Sequence, residues 1–156
     1  MKTLKISKSD LDSNNRYVGK ENLSDWSNPF DGHIEIEKNI GYVNFEESLV
    51  VSGSIVAEAG SGIKAGWGIE AGSGIEAGEG IEAGEGIVSL CSWVKAKLTI
   101  KINLKCRIAA GIFSTNGPQD VEAQEVIGEV CYGNKKILPK QDEVIEINGK
   151  KYKRVD

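Results

Sequence analysis

The sequence predicts an all-β fold: a small parallel β-solenoid with capping segments and a C-terminal β-hairpin. Three observations carry this expectation. Isoleucine recurs every six residues, at 63, 69, 75, 81 and 87. Glycine punctuates the same stretch, ten times from Gly60 to Gly86. Apolar and polar residues alternate on both sides of the repeat, as half-buried strands require.

From Gly62 to Ile87 the chain reads GIKAGW GIEAGS GIEAGE GIEAGE GI. Each isoleucine is followed two residues later by Ala65, Ala71, Ala77 or Ala83. A six-residue period fits strand alternation and not the helical period of 3.6, and so many glycines would destabilise any helix. Isoleucine and alanine then share an inward side, while Lys64, Glu70, Glu76 and Glu82 between them face water. Gly-x-Gly bends the chain into the next short strand. Strands repeated in one sense wind a coil whose turns pair by parallel ladders. Such a repeat depends on stacking and on its flanks, which also cap the ladder ends.

The flanks supply strands. Upstream, His33-Ile34-Glu35-Ile36-Glu37, Tyr42-Val43-Asn44-Phe45 and Leu49 to Val56 alternate. Downstream, Val94, Ala96, Leu98, Ile100, Ile102, Leu104, Cys106, Ile108, Ala110 and Ile112 share one parity, with Lys95, Lys97, Lys101, Lys105 and Arg107 between them. That run exceeds one solenoid strand, so it is expected to bend or to cross to another sheet. If a coil holds about three repeats, Glu58 stacks under Glu76 and Lys64 under Glu82, at the ~4.8 Å strand spacing.

Residues 1–32 are polar and read as an N-terminal cap, with Trp26 and Phe30 packed on the coil end. Residues 33–113 form the solenoid and the sheet that follows it. Residues 114–142 are a second cap and linker: Ser114 to Asp120 is a break, and Val121 to Tyr132 reads as a short strand or a helix. Residues 143–156 read as a hairpin, since Asn148-Gly149 between alternating runs suits a type I′ turn.

The repeat resembles the hexapeptide-repeat β-helices, over about Val51 to Ile87, and the resemblance implies triangular coils. Those proteins place a small residue two before the aliphatic one. Here that slot holds Ser61, Trp67, Ser73, Glu79 and Glu85. An unpaired carboxylate is costly to bury, so the slot is expected at a corner facing water. The tail EVIEINGKKYKRVD resembles the tails of small phage and prophage proteins of low-GC Gram-positive bacteria. The GIEAG repeat is similar to a feature of uncharacterised bacterial and phage proteins.

Catalytic signatures are sparse. Hexapeptide-repeat acyltransferases use a histidine base between coils; the single His33 precedes the repeats and reads as a surface or capping residue. The glycines recur as corners and not as a phosphate loop, which needs a strand before it, a helix after it and Gly-Lys-Ser/Thr. Calcium-binding rolls use nine-residue repeats with aspartate, and these repeats have neither. Three scattered cysteines, with no Cys-x-x-Cys, predict no zinc site and a reducing compartment. The lysine-bearing start, Met1 to Asp10, has no apolar run behind it, so neither a secretory signal nor a membrane span is expected. A cytoplasmic protein follows, in the host cell if phage-encoded.

Interaction is the expected function. Trp67 occupies a slot otherwise filled by serine or glutamate; it is either an interface anchor or a ring folded over a neighbouring coil. Glu70, Glu76, Glu79, Glu82 and Glu85 give an acidic face, able to compete for a basic groove. Lys95 to Arg107 is a basic stripe, but lacks the interleaved aromatics that single-strand binders use, so nucleic acid is a weak partner. With a net charge of −4, no cofactor and no catalysis are expected. The resemblances imply an accessory protein that binds and inhibits a host protein, with CRISPR–Cas defence components among the candidates, as for anti-CRISPR proteins. The alternatives are self-assembly into a trimer or filament, and an acyltransferase relative or small-ligand binder.

Overall fold

The computed structural model describes residues 1–102 and 106–140, and the backbone of 144–147 and 150–153. Short strands follow one another around three faces. The first face holds β1 (Lys2–Ile6), β2 (Gly32–Ile36), β5 (Ile55–Ala57), β8 (Ile75–Ala77), β11 (Val94–Ala96), β14 (Asp120–Ala123) and β17 (Asn134–Ile137). The second holds β3 (Gly41–Phe45), β6 (Ser61–Ala65), β9 (Ile81–Ala83), β12 (Thr99–Ile102) and β15 (Glu125–Ile127). The third holds β4 (Leu49–Val51), β7 (Ile69–Ala71), β10 (Ile87–Ser89), β13 (Arg107–Ala110) and β16 (Glu129–Tyr132). From β2 to β14 every strand pairs in parallel with the strand three places along, which is a three-sided parallel β-solenoid.

Register builds the core. Ile34, Ile55, Ile75, Val94 and Val121 stack inward on the first face. Val43, Ile63, Ile81, Ile100 and Val126 stack on the second. Leu49, Ile69, Ile87 and Ile108 stack on the third. Apart from Val126, at 9 %, all are fully buried. Ala57, Ala77, Ala96, Ala65, Ala83, Ala71 and Ala110 fill the other inward position. In the central coils a large and a small residue alternate along each side, so three sides meet over a narrow interior.

Two kinds of glycine shape the coil, for different reasons. The glycine after each alanine sits where a Cβ would strike a carbonyl of the coil beneath: 2.1 Å from Glu46 O at Gly66, 2.0 Å from Ser52 O at Gly72, 2.4 Å from Glu58 O at Gly78. The glycine before each isoleucine faces outward and leaves room for an aromatic ring. The Tyr42 ring lies over Gly62 and Gly80, Trp26 over Gly68 and Trp93 over Gly74. Close approach, not left-handed backbone, is what these positions demand.

The coil length departs from three repeats where one corner widens. Lys64 stacks against Glu82 as expected. Glu58 does not reach Glu76: the corner 58–61 carries two residues more than the repeat, and Val56 lies against Glu76 instead. Ser61 is likewise buried and not at a watery corner; its hydroxyl donates to Glu37 O at 2.5 Å.

The ladders extend on both sides of 33–113. β1 heads the first face, and residues 7–31 complete a circuit in which Arg16 bridges Asn44 and Phe30 bridges Val51. Val121 to Tyr132, which left strand and helix open, contributes β14, β15 and β16. The alternating run 94–112 is three strands on three faces, and Leu98 and Ile112 at its corners are exposed. Beyond the solenoid, β18 (Val144–Ile147) pairs antiparallel with β19 (Lys150–Lys153). The expected Asn148-Gly149 turn and Lys105 lie outside the described residues.

Candidate interaction surface

Each face presents one central outward column, fixed by register. On the first it runs Lys5, Glu35, Val56, Glu76, Lys95, Glu122, Lys136. On the second it runs Asn44, Lys64, Glu82, Lys101, Ile127. On the third it runs Val50, Glu70, Val88, Ala109, Tyr132. The first two columns set opposite charges side by side. The third is apolar apart from one carboxylate, and its Val50 and Ala109 are buried.

This distribution decides what the charged candidates do. Glu82 meets Lys64 at 3.5 Å and lies in register with Lys101. Glu76 is in register with Lys95, whose ammonium also stands 5.1 Å from the Trp93 ring centroid. Glu79 and Lys97 lie at the corner between the first and second faces. Arg107 opens β13 on the third face and pairs with Glu129 at 3.6 Å. The structure therefore divides the basic stripe among three faces, where much of it answers the acidic repeats. Surface pairs of this kind contribute little stability individually, at most about 1 kcal/mol.

Trp67 sits on the edge where the second face turns into the third, and it is 59 % exposed. Its backbone is held in the coil stack. The Trp67 N–H donates to Glu47 O at 3.3 Å, and the Glu85 N–H donates to Trp67 O at 3.0 Å. Glu47 and Glu85, both exposed, thus flank it one coil below and one above. The indole itself is not folded away over a neighbouring coil.

Trp26 belongs to the same surface. Its Nε1 donates to the buried Ser48 hydroxyl at 3.1 Å, and its ring lies against Gly68, so it runs along the third face instead of sealing the coil end. Phe30, by contrast, is buried. Two residues beyond Gly68 on the same outward side is Glu70, half-buried, its carboxyl pushed above the usual range by burial. The sequence singled out Trp67 and Glu70 but not Trp26. The signal for Trp26 was the outward glycine at 68, which leaves a ring-sized space.

Other features serve the fold. His33 Nδ1 accepts the Ser54 N–H at 3.0 Å and lies 2.8 Å from its hydroxyl, binding β2 to the next coil. The Tyr42 hydroxyl is pushed up first by burial and then by Glu82 and Glu79. Cys91 and Cys131 are exposed and Cys106 half-buried, all as free thiols. Among the described residues no cluster of His, Cys, Asp and Glu is placed to hold a metal ion, and no helix is long and apolar enough to cross a membrane.

Compared with protein-family models, with curated proteins and with solved structures, the chain finds no match in any of the three.

Proposed function

We propose that this chain is a non-catalytic interaction protein that docks on one protein partner through the Trp67 edge and inhibits it. The observation that supports the reading is Trp67 itself. It is a large aromatic, exposed, on a backbone fixed from the coils above and below, in a repeat slot that serine and glutamate also fill. The fold has no use for an indole there, and a rigid, pre-positioned aromatic is the kind of residue that anchors an interface. The resemblance of the tail and the repeat to phage and prophage proteins directs the proposal to a host protein in the bacterial cytoplasm, with CRISPR–Cas components among the candidates.

The test is capture of partners from nuclease-treated bacterial lysate by tagged protein, read by mass spectrometry, with wild type beside Trp67→Ala. The expected result is one stoichiometric partner, lost in Trp67→Ala while its melting temperature stays within about 2 °C. Capture unchanged by the substitution would remove this edge from the function.

Self-assembly is a second reading. It draws on β17, the last strand of its sheet, where Ile137 is 57 % exposed. Size-exclusion chromatography with light scattering separates the two: a discrete trimer or a filament favours assembly, a monomer favours docking.

A further inference from the structure

The Gly-Ile-Glu-Ala-Gly repeat occurs once on each face, which makes the three faces an internal comparison. On the first face its glutamate, Glu76, is in register with Lys95. On the second, Glu82 has Lys64 at 3.5 Å and Lys101 in register. On the third, Glu70 lies between Val50 and Val88 and has no cation among the described residues. Among the described residues, the basic group in the strands of this face, Arg107, is two coils away and pairs with Glu129.

The surroundings of Glu70 sharpen the contrast. Val50 beneath it is 1 % exposed, covered where its N–H donates to Leu23 O at 2.7 Å. The Trp26 ring rests on Gly68, two residues or about 7 Å along the strand. Glu47 and Glu85 line the adjacent edge around Trp67. A carboxylate taken partly out of water without a counter-charge is costly, and the cost is recovered when a cation arrives. Aromatic rings beside it favour a cation over any other group.

From this charge complementarity we propose that the third face receives a basic segment of the partner, an arginine- or lysine-bearing stretch whose cation pairs with Glu70 beside Trp26. The inference rests on the docking reading and names the partner's chemistry. Arginine fits best, since its planar group stacks on an indole while pairing with a carboxylate. Acidic or uncharged segments gain nothing at Glu70, and Glu47 and Glu85 repel the former.

The test uses the whole protein and a fluorescein-labelled hexa-arginine peptide, with hexa-glutamate as control. Anisotropy gives the affinity, and tryptophan indole NMR shifts give the place. Expected are binding of hexa-arginine alone, shifts of the Trp26 and Trp67 indoles larger than that of Trp93, and an affinity about tenfold weaker in Glu70→Gln but changed less than about twofold in Glu76→Gln. No binding, or equal losses in Glu70→Gln and Glu76→Gln, would overturn the inference, the second because it marks attraction to the net charge alone. Lysate capture separates the two claims. A partner lost in Trp67→Ala yet fully kept in Glu70→Gln refutes the basic segment and leaves docking standing. A partner kept in Trp67→Ala refutes docking through the Trp67 edge.

Discussion

Glycines that look identical in the repeat have different tolerances. A Cβ on Gly84 would stand 1.9 Å from Gly66 O, a backbone atom unable to step aside, whereas one on Gly86 meets only Arg107 O at 3.1 Å. Gly84→Ala is therefore expected to lose roughly 1–3 kcal/mol, as overpacking does, and Gly86→Ala clearly less; urea denaturation of the pair measures the difference. Glu70 carries a second prediction. Its carboxyl titrates above the ordinary range because it is partly buried, so the folded state holds the proton more tightly than the unfolded chain. Stability then falls as pH rises from the ordinary carboxylate range through the raised value. Glu70→Gln removes that penalty. Its melting temperature should exceed wild type at neutral pH and converge with it in acid, where Glu70 is protonated in both states.

Strands that repeat were legible; strands that do not were harder to read. β7, β8 and β9 followed from Ile69, Ile75 and Ile81, because a six-residue period repeated several times has one strand solution. The run 94–112 kept one parity through three strands, so its alternation could not show where the chain turned. Its corners hold Leu98 and Ile112, exposed apolar residues that continue the pattern by type and not by burial. The widened corner at 58–61 hid the register for a similar reason, as Glu58-Ala59-Gly60 imitates the repeat while adding two residues. Of the surface, Trp67 and Glu70 were visible as the odd residue and the repeated one. The isolation of Glu70 was not, because it depends on which column each coil supplies. At this scale the core columns predict that Ile75→Ala, in a fully buried stack between Ile55 and Val94, costs about 2–5 kcal/mol by leaving a cavity, measurable by chemical denaturation.

A solenoid has two ends, and open ladders invite stacking. Here the end strands of the first face carry matching charges. Lys5 on β1 and Lys136 on β17 occupy the same outward column, so a second copy stacked in register would set ammonium against ammonium. Lys135 goes further. It takes the inward column position above Val121, where an apolar side chain would offer a sticky end, and donates to Val126 O at 3.4 Å. Inward-pointing and facing charges on terminal strands are a known defence against edge pairing. The wild type is therefore expected to stay monomeric, and Lys135→Val with Lys136→Val to self-associate with rising concentration in light scattering. A wild type already polymeric would contradict this.

The third face, with Glu70 unpaired among the described residues and Trp26 and Trp67 beside it, is the surface proposed for the partner. The direct measurement is hydrogen–deuterium exchange on the complex with the captured partner, against the free protein. New protection is expected at residues 24–28, 66–70 and 84–88, with β8, β11 and β12 unchanged. Protection confined to the first and second faces, with the Trp67 edge exchanging as in the free chain, would contradict it.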